Sequence, residues 1–253
     1  MSMKSIRSAV FLSLLTLTAL PLFAAPQISV QRNWDNGTVF ENDQVELGET
    51  PVNTPISKLF RIHNTGNQPL SFTFSFVGGD ALSVIQQPTS PVPAGGYTTF
   101  RIRVYGNKPS GQYGYITIDS NAANDPSFHF SVHGTVIGPM IDLIQNWTGL
   151  QQPNGGAVDF GTIAANTHTS RAWQVYNSGN RQLDLTNASA TVSGTGFVQI
   201  ETPLSTLQPN WSSVLRVRFA PTQPNTLYTG QITIYSNDGP RNPFVVYLQG
   251  RSQ

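Results

Sequence analysis

Asn64-Thr-Gly-Asn67 returns as Asn177-Ser-Gly-Asn180, and the offset of 113 residues from Asn64 to Asn177 holds over a long stretch of chain. The same offset carries Ile28 onto Ile141, Trp34 onto Trp147, Gly48 onto Gly161 and Leu70 onto Leu183 without a gap. Further on, Ile116-Thr-Ile-Asp-Ser-Asn121 and Ile232-Thr-Ile-Tyr-Ser-Asn237 stand 116 residues apart, so three inserted residues separate the second halves of the copies. A chain duplicated at this length is expected to fold as two like bodies, each longer than a solenoid repeat of roughly 20–50 residues.

Residues 1–24 belong to neither copy. Lys4 and Arg7 precede an apolar run, Ala9 to Leu20, that is too short to span a bilayer, and Leu22-Phe23-Ala24 offers a small-residue cleavage site before Ala25. A secretory signal is expected there, followed by bodies over residues 25–137 and 138–253. No membrane span is expected after its removal, and the expected location is secreted or periplasmic, with the cell surface included. Without Lys4 and Arg7 the 14 basic residues fall to 12 against 13 acidic, a net charge of −1 that gives no basis for wrapping nucleic acid. Cysteine is absent, so apolar burial rather than disulfides must hold the fold. Two bodies of about 110 residues each are large enough for that.

Periodicity identifies the elements. Leu70, Phe72, Phe74 and Phe76 alternate with Ser71, Thr73 and Ser75; Phe100, Ile102 and Val104 alternate around Arg101 and Arg103; Leu215, Val217 and Phe219 do so around Arg216 and Arg218. A period of two places apolar groups on one face of a strand and polar groups on the other. Short strands at regular spacing, with no stretch of period 3.6, predict an all-β chain of two tandem antiparallel β-sandwiches. In the Asn-Thr/Ser-Gly-Asn corners, Gly66 and Gly179 are expected to supply positive φ while the asparagines bond nearby backbone. Gly95 and Asn210, opposite each other in the copies, suit the left-handed conformation at the next turn. Gly134 to Met140, with Gly138-Pro139, is expected to join the bodies.

Chemical motifs are sparse. The chain has no Gly-x-Ser-x-Gly elbow, Walker loop or His-Glu-x-x-His motif, and Gly194-Thr-Gly196 lacks a dinucleotide site's third glycine. His129 and His133 share one face of a strand, but a spacing of four residues separates their Cα atoms by about 13 Å, so solvated histidines are expected and no metal site. Glu41, Asp43 and Glu46 are expected to be solvated. Asp119, Asp125 and Asp238 lie near the last turn of each copy, where capping competes with calcium binding. Trp34 and Trp147 recur and are expected to pack against the core. Trp211, in a predicted turn, is the binding candidate; it serves equally as an interface or sugar-stacking anchor or as a cover over the sandwich rim. Sequons at Asn36, Asn146, Asn187 and Asn210 arise readily in an Asn- and Thr-rich chain.

The opening Ile strand, Val-Glu-Leu-Gly48 and Val-Asp-Phe-Gly161, the Asn-Gly-Asn corner, Phe219-Ala-Pro221 and Ser236-Asn-Asp238 together resemble the ASH family (abnormal-spindle and hydin type), as in bacterial choice-of-anchor D exported proteins. The resemblance covers 28 to 134 and 141 to 250. It departs at Tyr105-Gly106, where the second copy has Ala220-Pro221, at the residues after Asn121, and at Gln253, which directly follows the second sandwich where such surface proteins carry an anchor. It implies an immunoglobulin-like scaffold or binding module without catalysis or cofactor. The expected function is therefore a non-enzymatic exported structural or adhesive protein–protein interaction module, whose partner is a protein or a cell-surface glycan. The alternative is a periplasmic pilus-chaperone-like protein that binds by β-strand addition; alike copies and the lack of a paired basic anchor for the C-terminus of a bound pilin weigh against it.

Overall fold

The computed structural model describes residues 24–253; the leader expected over residues 1–24 lies, but for Ala24, outside the described residues. In the first copy the strands are β1 (Ile28–Arg32), β2 (Thr38–Val39), β3 (Gln44–Pro51), β4 (Ile56–Asn64), β5 (Phe72–Gly78), β6 (Leu82–Gln86), β7 (Tyr97–Val104), β8 (Ser110–Ser120) and β9 (Ser127–Ile137). They form two sheets, ordered β2-β1-β4-β7-β6 and β3-β9-β8-β5. The second copy repeats them as β10 (Ile141–Gln145), β11 (Gln151–Gln152), β12 (Gly156–Ile163), β13 (Thr169–Asn177), β14 (Leu183–Ser193), β15 (Phe197–Glu201), β17 (Ser212–Phe219), β18 (Leu227–Ser236) and β19 (Phe244–Ser252), and adds β16 (Thr206–Leu207) where the first copy has a single bridge between Leu70 and Val92. Their order is β11-β10-β13-β17-β15 and β12-β19-β18-β14-β16. These are two immunoglobulin-like β-sandwiches, and the described residues contain no α-helix.

Each sandwich closes over its own apolar cluster, one running from Ile28 to Val136 and the other from Ile141 to Leu248. Alternation decides which side chains enter: Phe100, Ile102 and Val104 of β7 are fully buried, as are Leu215, Val217 and Phe219 of β17. Pairing direction, in contrast, leaves no mark on a period of two. β3 runs parallel to β9, and β12 parallel to β19, so each sandwich carries one parallel edge where the sequence predicts antiparallel pairing alone. Both parallel ladders slip at a bulge, between Glu46 and Gly48 and between Asp159 and Thr162, where Gly48 and Gly161 have φ of 99° and 81°.

The duplicated corner is a clasp. Asn64 is buried; its Oδ1 accepts the Gly66 and Gln27 N–H groups (3.0 and 3.3 Å), and its Nδ2 donates to the carbonyls of Gln68 and Val92 (2.7 and 3.1 Å). Asn177 repeats all four bonds, with Gly179 and Met140 as donors (3.0 and 3.3 Å) and Arg181 and Leu207 as acceptors (2.8 and 3.0 Å). The expected glycine role needs correction, because neither Gly66 nor Gly179 has positive φ. An added Cβ at Gly66 would collide with the Ala25 carbonyl and stand 2.6 Å from the Gln27 nitrogen; at Gly179 it would collide with the Gly138 carbonyl. The glycines permit close passage of the segment that leads into β1 or β10. Gly95 and Asn210 do take the left-handed conformation, with φ of 70° and 65°. The junction is shorter than expected, because Gly134 to Ile137 belong to β9 and only residues 138–140 separate it from β10. Asn180 holds that junction, accepting the Gly138 N–H (3.0 Å) and donating to the Val136 carbonyl (3.0 Å).

At the turn before the last strand, where the copies differ in sequence, different atoms do the same work. In the first copy Asn124 accepts the Ile28 N–H and donates to the Ile28 carbonyl (2.9 and 2.8 Å). In the second, Asp238 accepts the Ile141 N–H (2.9 Å) while Arg241 donates to the Ile141 carbonyl (2.9 Å). Burial pushes the Asp238 carboxyl above its ordinary value of 3.8, against the opposing pull of the Ile141 N–H bond and Arg241. A folded-state pKa above the unfolded one means stability present at low pH and lost as pH rises from 3.8 through the raised value. Asp238→Asn is thus expected to flatten the pH dependence of unfolding above pH 3.8 and to gain on the parent toward neutrality, measured by urea denaturation across pH. Parallel curves for parent and variant would contradict it.

Candidate functional site

The first sandwich presents two broad faces of opposite character. On the outer face of β3-β9-β8-β5, the parallel pairing of β3 with β9 sets Glu46 beside His133, whose Nδ1 is 2.8 Å from the carboxylate. Just before β3, Glu41 receives the His129 backbone N–H (2.7 Å) on one oxygen and pairs with the ring Nδ1 through the other. Tyr113 stacks on His133 at 4.4 Å and Tyr115 lies against His129 at 5.5 Å. The expectation that these acids and histidines are separately solvated is corrected: they form two carboxylate–imidazole–phenol rows. A bond from Gln44 first, then His133, holds the Glu46 carboxyl below its usual range.

The second copy shows which part of this the scaffold requires. Asn154, at the place of Glu41, accepts the Val245 N–H (2.8 Å), and Asp159, at the place of Glu46, accepts from Gln249 (3.0 Å). The loop attachments survive there without histidine, and Tyr113 and Tyr115 are matched by Thr229 and Gln231. Ionisable rows with exposed tyrosines are therefore an addition of the first copy. Their sequence signal is the acid kept at Glu46 and Asp159 opposite a changing partner, His133 or Gln249. That signal becomes readable only once β3 is known to lie beside β9.

The other face, β2-β1-β4-β7-β6, has no Asp or Glu in its strands, and Arg61, Arg101 and Arg103 project from it. None of the three joins an ion pair among the described residues. The Arg61 guanidinium lies over Tyr97 at 5.3 Å and that of Arg103 over Tyr105 at 5.6 Å. Burial first, then the Arg61 charge, lowers the His63 pKa. Again the second copy differs: Arg216, matching Arg101, is neutralised by Glu201 at 3.0 Å, where β6 offers the uncharged Gln86.

The tryptophans divide as follows. Trp34 sets its edge on Phe60 (5.1 Å) under Lys58 (5.0 Å), and Trp147 sets its edge on Trp173 (5.2 Å) under Arg171 (5.1 Å). They do pack on core aromatics, but from the rim, each about one third exposed. Trp211 is 59% exposed beside Asn210, whose side chain accepts the Tyr176 hydroxyl hydrogen bond (3.0 Å). Asp238 acts as a backbone cap, and Asp119 accepts from the Ser127 hydroxyl (2.7 Å). Among the described residues no three His, Cys, Asp or Glu side chains converge to hold a metal ion.

Sheet edges complete the surface. Of the eight outermost strands among the described residues, β2, β11 and β16 have two residues each, β6 and β15 slip in register, and β3 and β12 carry bulges. β5 alone pairs in unbroken register, Phe72 with Ser120 through Gly78 with Gly114, and has neither charge nor proline. Its counterpart β14 slips between Thr186 and Thr191 and is partly covered by β16. Flanking bonds from Gly79 N–H to the Tyr113 carbonyl and from Asn121 N–H to the Ser71 carbonyl set the bonded pairs on odd-numbered residues. Phe74 and Phe76 consequently turn their N–H and C=O groups to the open edge, while Ser90 Oγ accepts the Phe72 N–H (2.9 Å).

Residues 153–251 match a family described as a protein of unknown function, DUF1573. No curated protein matches the chain. Among solved structures, a protein of unknown function from Porphyromonas gingivalis W83 is similar over 88% of this chain and 99% of its own, at 12% identity and a TM-score of 0.35. The ASH/PapD-like domain 7 of human CEP192 is similar over 54% of this chain and 98% of its own, at 11% identity and a TM-score of 0.35. Extracellular cadherin domains 1–4 of protocadherin gamma B7 are similar over 90% of this chain and 51% of theirs, at 12% identity and a TM-score of 0.40.

Proposed function

We propose that this chain is an exported, non-enzymatic structural or adhesive module of ASH type, in the choice-of-anchor D manner, that binds other proteins along β5. The observation that carries this reading is the β5 edge: seven residues, uncharged and in unbroken register, with free ladder groups at Phe74 and Phe76. Proteins ordinarily shield such an edge with charge, proline or a bulge, because it templates pairing with another backbone. Phe72, Phe74 and Phe76 are half-buried, which suits an incoming strand whose inward side chains are apolar. The module reads as bodies over 25–137 and 138–253, secreted or periplasmic after loss of its leader, with Trp211 as a further contact residue and no cofactor.

Thr73→Lys with Ser75→Lys places charge beside the edge on outward positions and leaves the β5–β8 ladder intact. In pull-downs from periplasmic and surface fractions, this variant is expected to lose its partners by tenfold or more, about 1.4 kcal/mol, while Thr117→Lys, one strand inward, retains them. Trp211→Ala is expected to weaken the same capture by about 1–2 kcal/mol. Equal recovery with parent and edge variant would remove β5 from the reading. Recovery of a single class of strand-donating pilins would instead favour the pilus-chaperone alternative.

A further inference from the structure

The charge of the first sandwich is segregated by sheet. β3, β5, β8 and β9 carry Glu46, Glu49 and Asp119 and no Lys or Arg; β1, β2, β4, β6 and β7 carry Arg32, Lys58, Arg61, Arg101 and Arg103 and no Asp or Glu. Each sheet of the second sandwich mixes signs, with Asp142, Arg171 and Glu201 in one and Asp159 and Arg251 in the other. The fold is therefore compatible with neutralisation inside a sheet, and neither sheet of the first copy uses it: Arg32 meets Asp35 in the following loop (3.2 Å) and Glu49 meets Arg181 of the second copy (2.5 Å), while Arg61, Arg101 and Arg103 on one face and Asp119 on the other have no ion-pair partner among the described residues. Both faces also expose a pair of tyrosines: Tyr97 and Tyr105 are 58% and 41% exposed, Tyr113 and Tyr115 are 61% and 47%.

We infer that these faces are complementary to one another in a second copy of this chain: the Arg61, Arg101 and Arg103 face of one molecule seats on the Glu46, Asp119, Tyr113 and Tyr115 face of the next. The guanidinium forks are already steadied against Tyr97 and Tyr105, and the Glu46 carboxylate, 61% exposed, is held upright by His133. A fork fixed in this way loses little freedom when it meets a carboxylate. An anionic glycan or lipid would account for the arginines and leave the acidic face without a partner; a second copy accounts for both. The two faces lie on opposite sides of one sandwich, so the contact is heterologous and each molecule can hold two neighbours.

At about 4.8 Å per strand and 3.3 Å per residue, such a face offers roughly 400 Å² per molecule. That lies in the range of weak contacts, so assembly is expected to depend on concentration and salt. The inference is independent of the β5 reading, and the two are separable by variant.

The test is sedimentation velocity on the chain from Ala25 onward, at about 100 μM in about 20 mM and then about 500 mM NaCl. The parent is expected to self-associate at low salt and to weaken at least tenfold at high salt. Arg101→Glu with Arg103→Glu, and separately Glu46→Lys with Asp119→Lys, are each expected to be monomeric, and an equimolar mixture to associate again because one intact face of each remains. Arg101→Glu with Arg103→Glu, on the sheet that lacks β5, is expected to keep the partners captured along β5. Circular dichroism and the uncharged Arg101→Gln, Arg103→Gln variant separate loss of contact from loss of fold. A parent that is monomeric at low salt, association by either charge-reversed variant alone, or a mixture of folded variants that stays monomeric each overturns the inference.

Discussion

Asn177→Ala is expected to remove about 3 kcal/mol of stability, from four hydrogen bonds at roughly 0.5–1.5 kcal/mol each with part of the loss recovered by water. Asn64→Ala is expected to cost the same. Both asparagines are almost fully buried, and each serves two backbone donors and two backbone acceptors from three separate segments. Alanine leaves those four groups facing one another in a space shaped for an amide. Aspartate restores only the acceptor half, so Asn177→Asp should recover little. Because the clasp is duplicated, each variant is expected to act on its own sandwich. Three of the four tryptophans, Trp147, Trp173 and Trp211, lie in the second copy. Asn177→Ala should therefore move the urea midpoint seen by fluorescence, whereas Asn64→Ala should move a transition seen mainly by circular dichroism. A loss below about 1 kcal/mol would deny the clasp its role. If either variant shifted one common transition for both probes, the two bodies would not unfold separately.

How far these features can be read from sequence depends on whether they are local. Alternation in 70–76, 100–104 and 215–219 identifies strands and their buried faces, because the side-chain period follows from backbone geometry alone. The left-handed turn at Gly95 and Asn210 is also legible, since both residue types tolerate that conformation for reasons contained in the residue. Gly66 and Gly179 invite an explanation by φ, whereas their need arises from Ala25–Gln27 and Gly138–Met140 passing against them. No pattern within Asn64 to Asn67 reports on a segment some forty residues earlier. The Glu41–His129 and Glu46–His133 pairs depend on two strands that meet in parallel more than eighty residues apart. Net charge misleads in a related way: near neutrality over the chain conceals a first sandwich whose arginines and carboxylates occupy opposite sheets.

Trp173→Ala is expected to destabilise the second sandwich by about 3–5 kcal/mol, the usual cost of emptying a large aromatic site. Trp173 is the largest fully buried side chain, and its indole Nε1 has no hydrogen-bond partner, so its contribution is packing. The first copy shows how the same space is filled otherwise. Phe60 occupies the corresponding position and stacks on Phe100 across the β4–β7 ladder at 4.9 Å, whereas Trp173 faces Leu215 across β13–β17. One copy divides the volume as Phe and Phe, the other as Trp and Leu, and each keeps a rim tryptophan edge-on to the first of the pair. Trp173→Phe alone should leave a void beside Leu215 and cost about 1–2 kcal/mol, and Leu215→Phe alone should overpack and cost about 1–3 kcal/mol. Together they reproduce the first sandwich's solution and are expected to return within about 1 kcal/mol of the parent, a favourable coupling of about 1–3 kcal/mol. Strict additivity of the two single losses, measured by urea denaturation, would mean that the copies share a backbone pattern without sharing a core.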